Sequence, residues 1–132
     1  MSTLFEKLNL KDQKEILVLN PPETFEAELA KLQGIAIIRA LNRVEAVNFA
    51  LAFVQSVEEI KSLTYAISGK AIGDPVIWFA YPKKSSKKYA VNINRDQGWD
   101  ALEKAGFKPV RQVAIDEDWS ALRFRRIEQI GK

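Results

Sequence analysis

Whatever chemistry this chain performs has to be done without histidine or cysteine, because its 132 residues contain neither. That removes the commonest general base, the commonest zinc ligand and every Ser–His or Cys–His nucleophile pair. It also removes disulfides, thiolate nucleophiles and cysteine metal sites. Acid–base work would fall to Asp, Glu, Lys or Tyr. The residues best placed to meet a ligand are Asn20, Ser56, Tyr81, Lys83, Ser85, Asp116, Trp119 and Ser120. Each lies at or beside one end of a predicted strand, so a parallel sheet would gather them at one rim. In open α/β sheets, the rim beyond the carboxyl ends of the strands is where ligands bind, and convergent polar and aromatic groups are the usual make-up of a binding site. None of them forms a catalytic pair, so they are binding candidates, and no catalytic residue or metal ligand is assigned. Plainer roles compete: Ser56 with Glu59 reads as a capping box, and Trp119 reads as a core side chain with one polar edge.

A second candidate is electrostatic. Lys83, Lys84, Lys87 and Lys88 crowd one loop, with Tyr81, Tyr89 and Arg95 nearby. Such a loop could contact nucleic-acid phosphates while the tyrosines stack on bases. The ordinary alternative is solvated charge, or pairing with the acidic turn Asp116-Glu117-Asp118. The net charge of +3 permits an anionic partner without requiring one. Arg123 and Arg125 alternate with Leu122 and Phe124, the pattern of a strand near a sheet margin.

The elements that must position these groups emerge from the apolar pattern. Hydrophobic residues make up 47% and charged residues 28%, an ordinary globular balance. The length fits one domain with its own core, residues 1–14 being a lead-in. The runs at 16–19, 49–54 and 76–80 suit strands buried on both faces. Pro22 opens a helix carrying Phe25, Leu29 and Leu32, and Gly34 closes it. A second strand is predicted over 35–41, parallel or antiparallel, because the connection at 42–47 is too short for a crossover helix. Ser56 caps a helix bearing Val57, Ile60, Leu63 and Ile67. Asn94 with Gln97 repeats the capping signature ahead of a helix ending at Gly106. Residues 110–115 and 119–126 form a closing hairpin. The expected fold is a three-layer, Rossmann-like α/β domain with a mostly parallel sheet of about six strands and a C-terminal antiparallel hairpin. No run is long and apolar enough for a membrane span, and the charged N-terminus has no apolar leader segment. A cytoplasmic location is expected.

This element order resembles the core of class I methyltransferases, which end in such a hairpin, here with a shortened front half. Three segments also resemble a family of small bacterial proteins classed as a domain of unknown function. They are Val18-Leu19-Asn20-Pro21-Pro22-Glu23-Thr24-Phe25, Trp78-Phe79-Ala80-Tyr81-Pro82-Lys83-Lys84-Ser85-Ser86 and Val113-Ala114-Ile115-Asp116-Glu117-Asp118-Trp119-Ser120-Ala121-Leu122-Arg123. The methyltransferase resemblance implies S-adenosylmethionine. The cofactor turn, however, is Asn20-Pro21-Pro22-Glu23: it lacks glycine, and its prolines remove two N–H donors. Glu23 and Glu26 bring negative charge to the first helical turn, where an anionic group would sit. The second strand ends near Arg43, where an acid usually holds the ribose. The reading is a degenerate, non-catalytic binding module with no cofactor, taking a small ligand or a protein partner. The alternatives are a methyltransferase-like enzyme with an atypical cofactor site and weak nucleic-acid binding through the basic loop.

Overall fold

The computed structural model describes residues 4–86, 93–94 and 97–130. Six strands form one sheet in the order β2-β1-β3-β4-β6-β5. They are β1 (Glu15–Leu19), β2 (Ala36–Ile38), β3 (Val47–Phe53), β4 (Ala71–Pro82), β5 (Phe107–Ala114) and β6 (Trp119–Arg126). The pairs β1–β2, β1–β3 and β3–β4 are parallel; β6 runs antiparallel to both β4 and β5. The expected mixed sheet with a terminal antiparallel pair is therefore present, and the open direction of the second strand resolves as parallel.

Alternation along the strands divides the core into two layers. One face of the sheet carries Ile16, Val18, Phe49, Leu51, Phe53, Trp78 and Ala80 under α1 (Leu4–Lys7) and α2 (Glu26–Leu29). The other carries Leu17, Leu19, Ala50, Ala52, Ile77, Phe79 and Tyr81 under α3 (Val57–Ser68) and α4 (Asp100–Lys104). Strands apolar on both faces are what helices on both sides require. The lead-in belongs to this core. Phe5 and Leu8 are buried, and the indole Nε1–H of Trp78, itself fully buried, donates to the Leu8 carbonyl at 2.7 Å. Among the described residues, no helix is long and apolar enough to cross a membrane.

Several boundaries differ from expectation, each for a local reason. The helix after β1 is a 3-10 turn, Glu23–Phe25, followed by the single α turn of α2; it does not continue to Gly34. Its buried anchors are only Phe25 and Leu29. The second strand is three residues long, not seven, because it is an edge strand that pairs only with Glu15–Leu17 of β1. The chain then crosses to β3 through a 3-10 turn at Leu41–Arg43. The Lys70 ammonium fastens that crossing by donating to the Leu41 and Val44 carbonyls. Asn94 and Gln97 do not cap α4. They bond each other, backbone to backbone and Nδ2 to Oε1 at 3.1 Å. Gly98 then takes φ +104, a left-handed conformation no helix can run through, so α4 starts only at Asp100.

Candidate functional site

The carboxyl ends of β1, β2, β3 and β4 define the rim, which β6 enters in the opposite direction. Two strand–helix junctions stand side by side on it. After β3, Ser56 is extended and its Oγ accepts the Glu59 N–H at 3.1 Å. Glu59 reaches back to accept the Gln55 N–H at 2.9 Å. Ser56 is thus committed to starting α3, as the capping signature predicts. After β1, Asn20 turns the chain at φ +55, and Pro22 opens the 3-10 turn with no side-chain cap. Asparagine tolerates this left-handed conformation better than most residues.

Behind the β1 junction the space is aromatic. Phe25 packs on Phe53 with ring centroids 4.9 Å apart, and Phe53 meets the edge of Trp119 at 5.1 Å. All three are buried. The first residue of α2, just after the junction, is held in an exposed ion pair. Arg39, the first residue past β2, clamps the Glu26 carboxylate with two bonds of 2.9 and 2.8 Å. Hydrogen bonds from Arg39 hold the Glu26 carboxyl below its usual range, its positive charge adds to the shift, and the guanidinium is held correspondingly above its own. The residue at the end of the second strand is therefore Arg39, not Arg43, and its charge is already matched.

The remaining candidates separate into two groups. Tyr81 and Ser120 are cross-strand partners, buried on the α3/α4 face. Gln112 joins them, its Nε2 donating to the Tyr81 hydroxyl at 2.8 Å and to Ser120 Oγ at 3.1 Å. Trp119 points to the opposite face. Asp116 is exposed, and its Oδ1 accepts the N–H groups of Asp118 and Trp119 at 2.8 and 2.9 Å, which shapes the acidic turn. That turn meets the basic loop through backbone and serine contacts. The Lys83 N–H donates to the Asp118 carbonyl at 2.7 Å, and the Ser86 hydroxyl to its carboxylate at 2.8 Å. Lys84 and Ser85 are exposed. Lys87, Lys88, Tyr89 and Arg95 lie outside the described residues.

The structure therefore brings Lys83 and Asp116 together at one end of the rim, with Ser85 beside them in the loop, and leaves Asn20 exposed just past β1. Sequence reasoning missed Gln112 and Arg39, and it noted Glu26 only for its charge in the first helical turn, not for its pairing with Arg39. Gln112 carried a usable signal, a polar residue in β5 on the same face as its partner Leu122. Arg39 and Glu26 carried none, since their meeting depends on how α2 lies against the end of β2.

Searched against models of protein families, the chain matches none. No curated protein shows significant sequence similarity to it. Solved structures do share its fold. A SAM dependent methyltransferase from Aquifex aeolicus superposes with a TM-score of 0.58 at 11% identity, over 94% of this chain and 88% of that one. The Methanococcus jannaschii fibrillarin pre-rRNA processing protein gives 0.56 at 16% identity, over 88% and 67%. The N-methyltransferase NodS from Bradyrhizobium japonicum gives 0.53 at 13%, over 92% and 91%. The fold is methyltransferase-like.

That fold raises S-adenosylmethionine as a cofactor, and the β1 junction can be tested for it. The cofactor's carboxylate would need free N–H donors and its ribose an acidic acceptor. Two of the turn's positions are prolines, Glu23 and Glu26 oppose an anion, and the residue past β2 is a paired arginine. The donor set does not fit the cofactor.

Proposed function

We propose that this chain is a methyltransferase-like binding module that performs no methyl transfer and takes a small ligand or protein partner at the strand-end rim. The observation that carries the proposal is the Arg39–Glu26 clamp standing where a ribose acceptor would be needed. The proline turn and the packed Phe25, Phe53 and Trp119 rings support it. The groups available at the rim are the exposed Asn20, Lys84, Ser85 and Asp116 and the half-buried Lys83. We further propose that residues 1–132 act as one folding unit in the cytoplasm and belong to the small bacterial family that the three segments resemble. Calorimetric titration with S-adenosylmethionine and with S-adenosylhomocysteine tests the cofactor part. The expected result is no saturable binding up to roughly 1 mM, an affinity of about −4 kcal/mol. One-to-one binding in the micromolar range overturns the reading and restores the enzyme alternative, which rests on the shared fold.

A further inference from the structure

The β5–β6 pair carries an arrangement of charge that folding alone does not favour. Its register sets Lys108 opposite Arg125 and Arg111 opposite Arg123. Like charges directly opposite each other destabilise a strand pair. A bulge creates the second of these rungs. The register shifts between Pro109, which pairs with Phe124, and Arg111, so Val110 is skipped and Arg111 is aimed across at Arg123. In an unbroken register Val110 would face Arg123 in place of Arg111. Four cations therefore share one face of the pair, opposite to the face that buries Leu122 and Phe124.

Among the described residues, their counter-charge is incomplete. Asp74 binds Arg125 through three contacts of 2.6 to 3.0 Å. Half-buried Arg123 donates to Asn9 Oδ1 at 3.2 Å, while its Nε–H is buried with no hydrogen-bond partner among the described residues. Lys108 and Arg111 are exposed. Burial weakens the hold of Arg123 on its proton, and repulsion from Arg125 and Arg111 adds to this against the attraction of Asp74. A buried, unsatisfied guanidinium N–H costs free energy until an acceptor arrives, and arginine forks match phosphate oxygens in pairs.

We infer that Lys108, Arg111, Arg123 and Arg125 form an anion site for two closely spaced phosphate groups, distinct from the strand-end rim. Rungs two residues apart lie roughly 7 Å from one another, and the facing cations of a rung about 5 Å apart at Cβ. That footprint suits a diphosphate group, whether on a small ligand or as neighbouring phosphates of a nucleic-acid backbone.

The test titrates the whole protein with inorganic pyrophosphate and with a fluorescein-labelled oligo(dT) strand at low salt. The wild type should bind pyrophosphate, with a salt-sensitive affinity, and the Arg123 Nε–Hε resonance should shift on titration. The double variant Lys108→Glu, Arg111→Glu should bind pyrophosphate at least about tenfold more weakly, one decade of Kd. Its thermal midpoint should not fall, because the substitutions replace like-charge rungs with opposite-charge ones. A Lys61→Gln, Lys104→Gln variant, which removes two exposed cations from the helices on the other face of the sheet, should bind like the wild type. Loss of the oligonucleotide as well as pyrophosphate in the double variant assigns the site to a nucleic-acid backbone; loss of pyrophosphate alone assigns it to a small diphosphate ligand. No pyrophosphate binding by the wild type, an unmoved Arg123 resonance, or equal affinity in the double variant overturns the proposal.

Discussion

The junctions after β1 and β3 lie on neighbouring parallel strands at the same rim, yet they are built by different physics. The β3 junction is made of hydrogen bonds. Ser56 and Glu59 satisfy the first free N–H groups, and a twelve-residue helix grows from them. The β1 junction has no side-chain cap, and two prolines fix its entry. It leads into a 3-10 turn and four α-helical residues, anchored by Phe25 and Leu29 and clamped from outside by Arg39. In related folds the first junction is the one that meets a cofactor. Here rings pack behind it, and the helix that follows it is held by an exposed ion pair to the residue past β2.

The difference can be broken from either side. The largest effect should come from the apolar anchor. Phe25→Ala removes a ring packed against Phe5 and Phe53 and should cost about 3–5 kcal/mol, read from the urea midpoint. Ser56→Ala removes a cap and should cost about 1 kcal/mol by the same measurement. Pro22→Ala removes no capping bond, so its cost should stay below that of Ser56→Ala. An equal or larger loss would show that the ring constraint, not the anchor, holds the β1 junction.

The smallest effect is electrostatic. The Glu26 carboxyl is held below its usual range in the folded chain, mainly by the hydrogen bonds from Arg39. Folding therefore favours its ionised form. The stabilisation is present above the ordinary carboxylate range, ~4, and is lost as pH falls through the lowered folded value. Asp74 behaves the same way beside Arg125. Thermal melts from pH 7 down to about 3 should lose less stability in Glu26→Gln than in the wild type, with the difference confined to the acid limb. A difference that persists unchanged across the range would assign the clamp a packing role instead.

The sheet itself was legible because its central strands are apolar on both faces. Runs such as Ile16–Leu19 and Phe49–Val54 admit few other placements. Asn94 and Gln97 misled because the capping signature is also a signature of a local reciprocal turn, and Gly98 decided between them. The rim candidates were harder to read. Tyr81 and Trp119 lie at the right end of the sheet, but side chains one register step apart across a strand pair point to opposite faces. Both are buried, so neither meets solvent as a strand end alone would suggest.

By itself, the sequence determined the α/β order, the capped helix after β3, the closing antiparallel pair and the loss of glycine donors from the first turn. All of these rest on periodicity or on the conformational limits of single residues, which act over a few positions. Tertiary structure decided the parallel direction of β2, the Arg39–Glu26 clamp, the Tyr81–Gln112–Ser120 contacts and the like-charged rungs of β5 and β6. These depend on strand register and on segments meeting across 13 to 51 residues of chain, as in Arg39 with Glu26 and Arg125 with Asp74. A local pattern does not encode such distances, because they are fixed only when the sheet assembles.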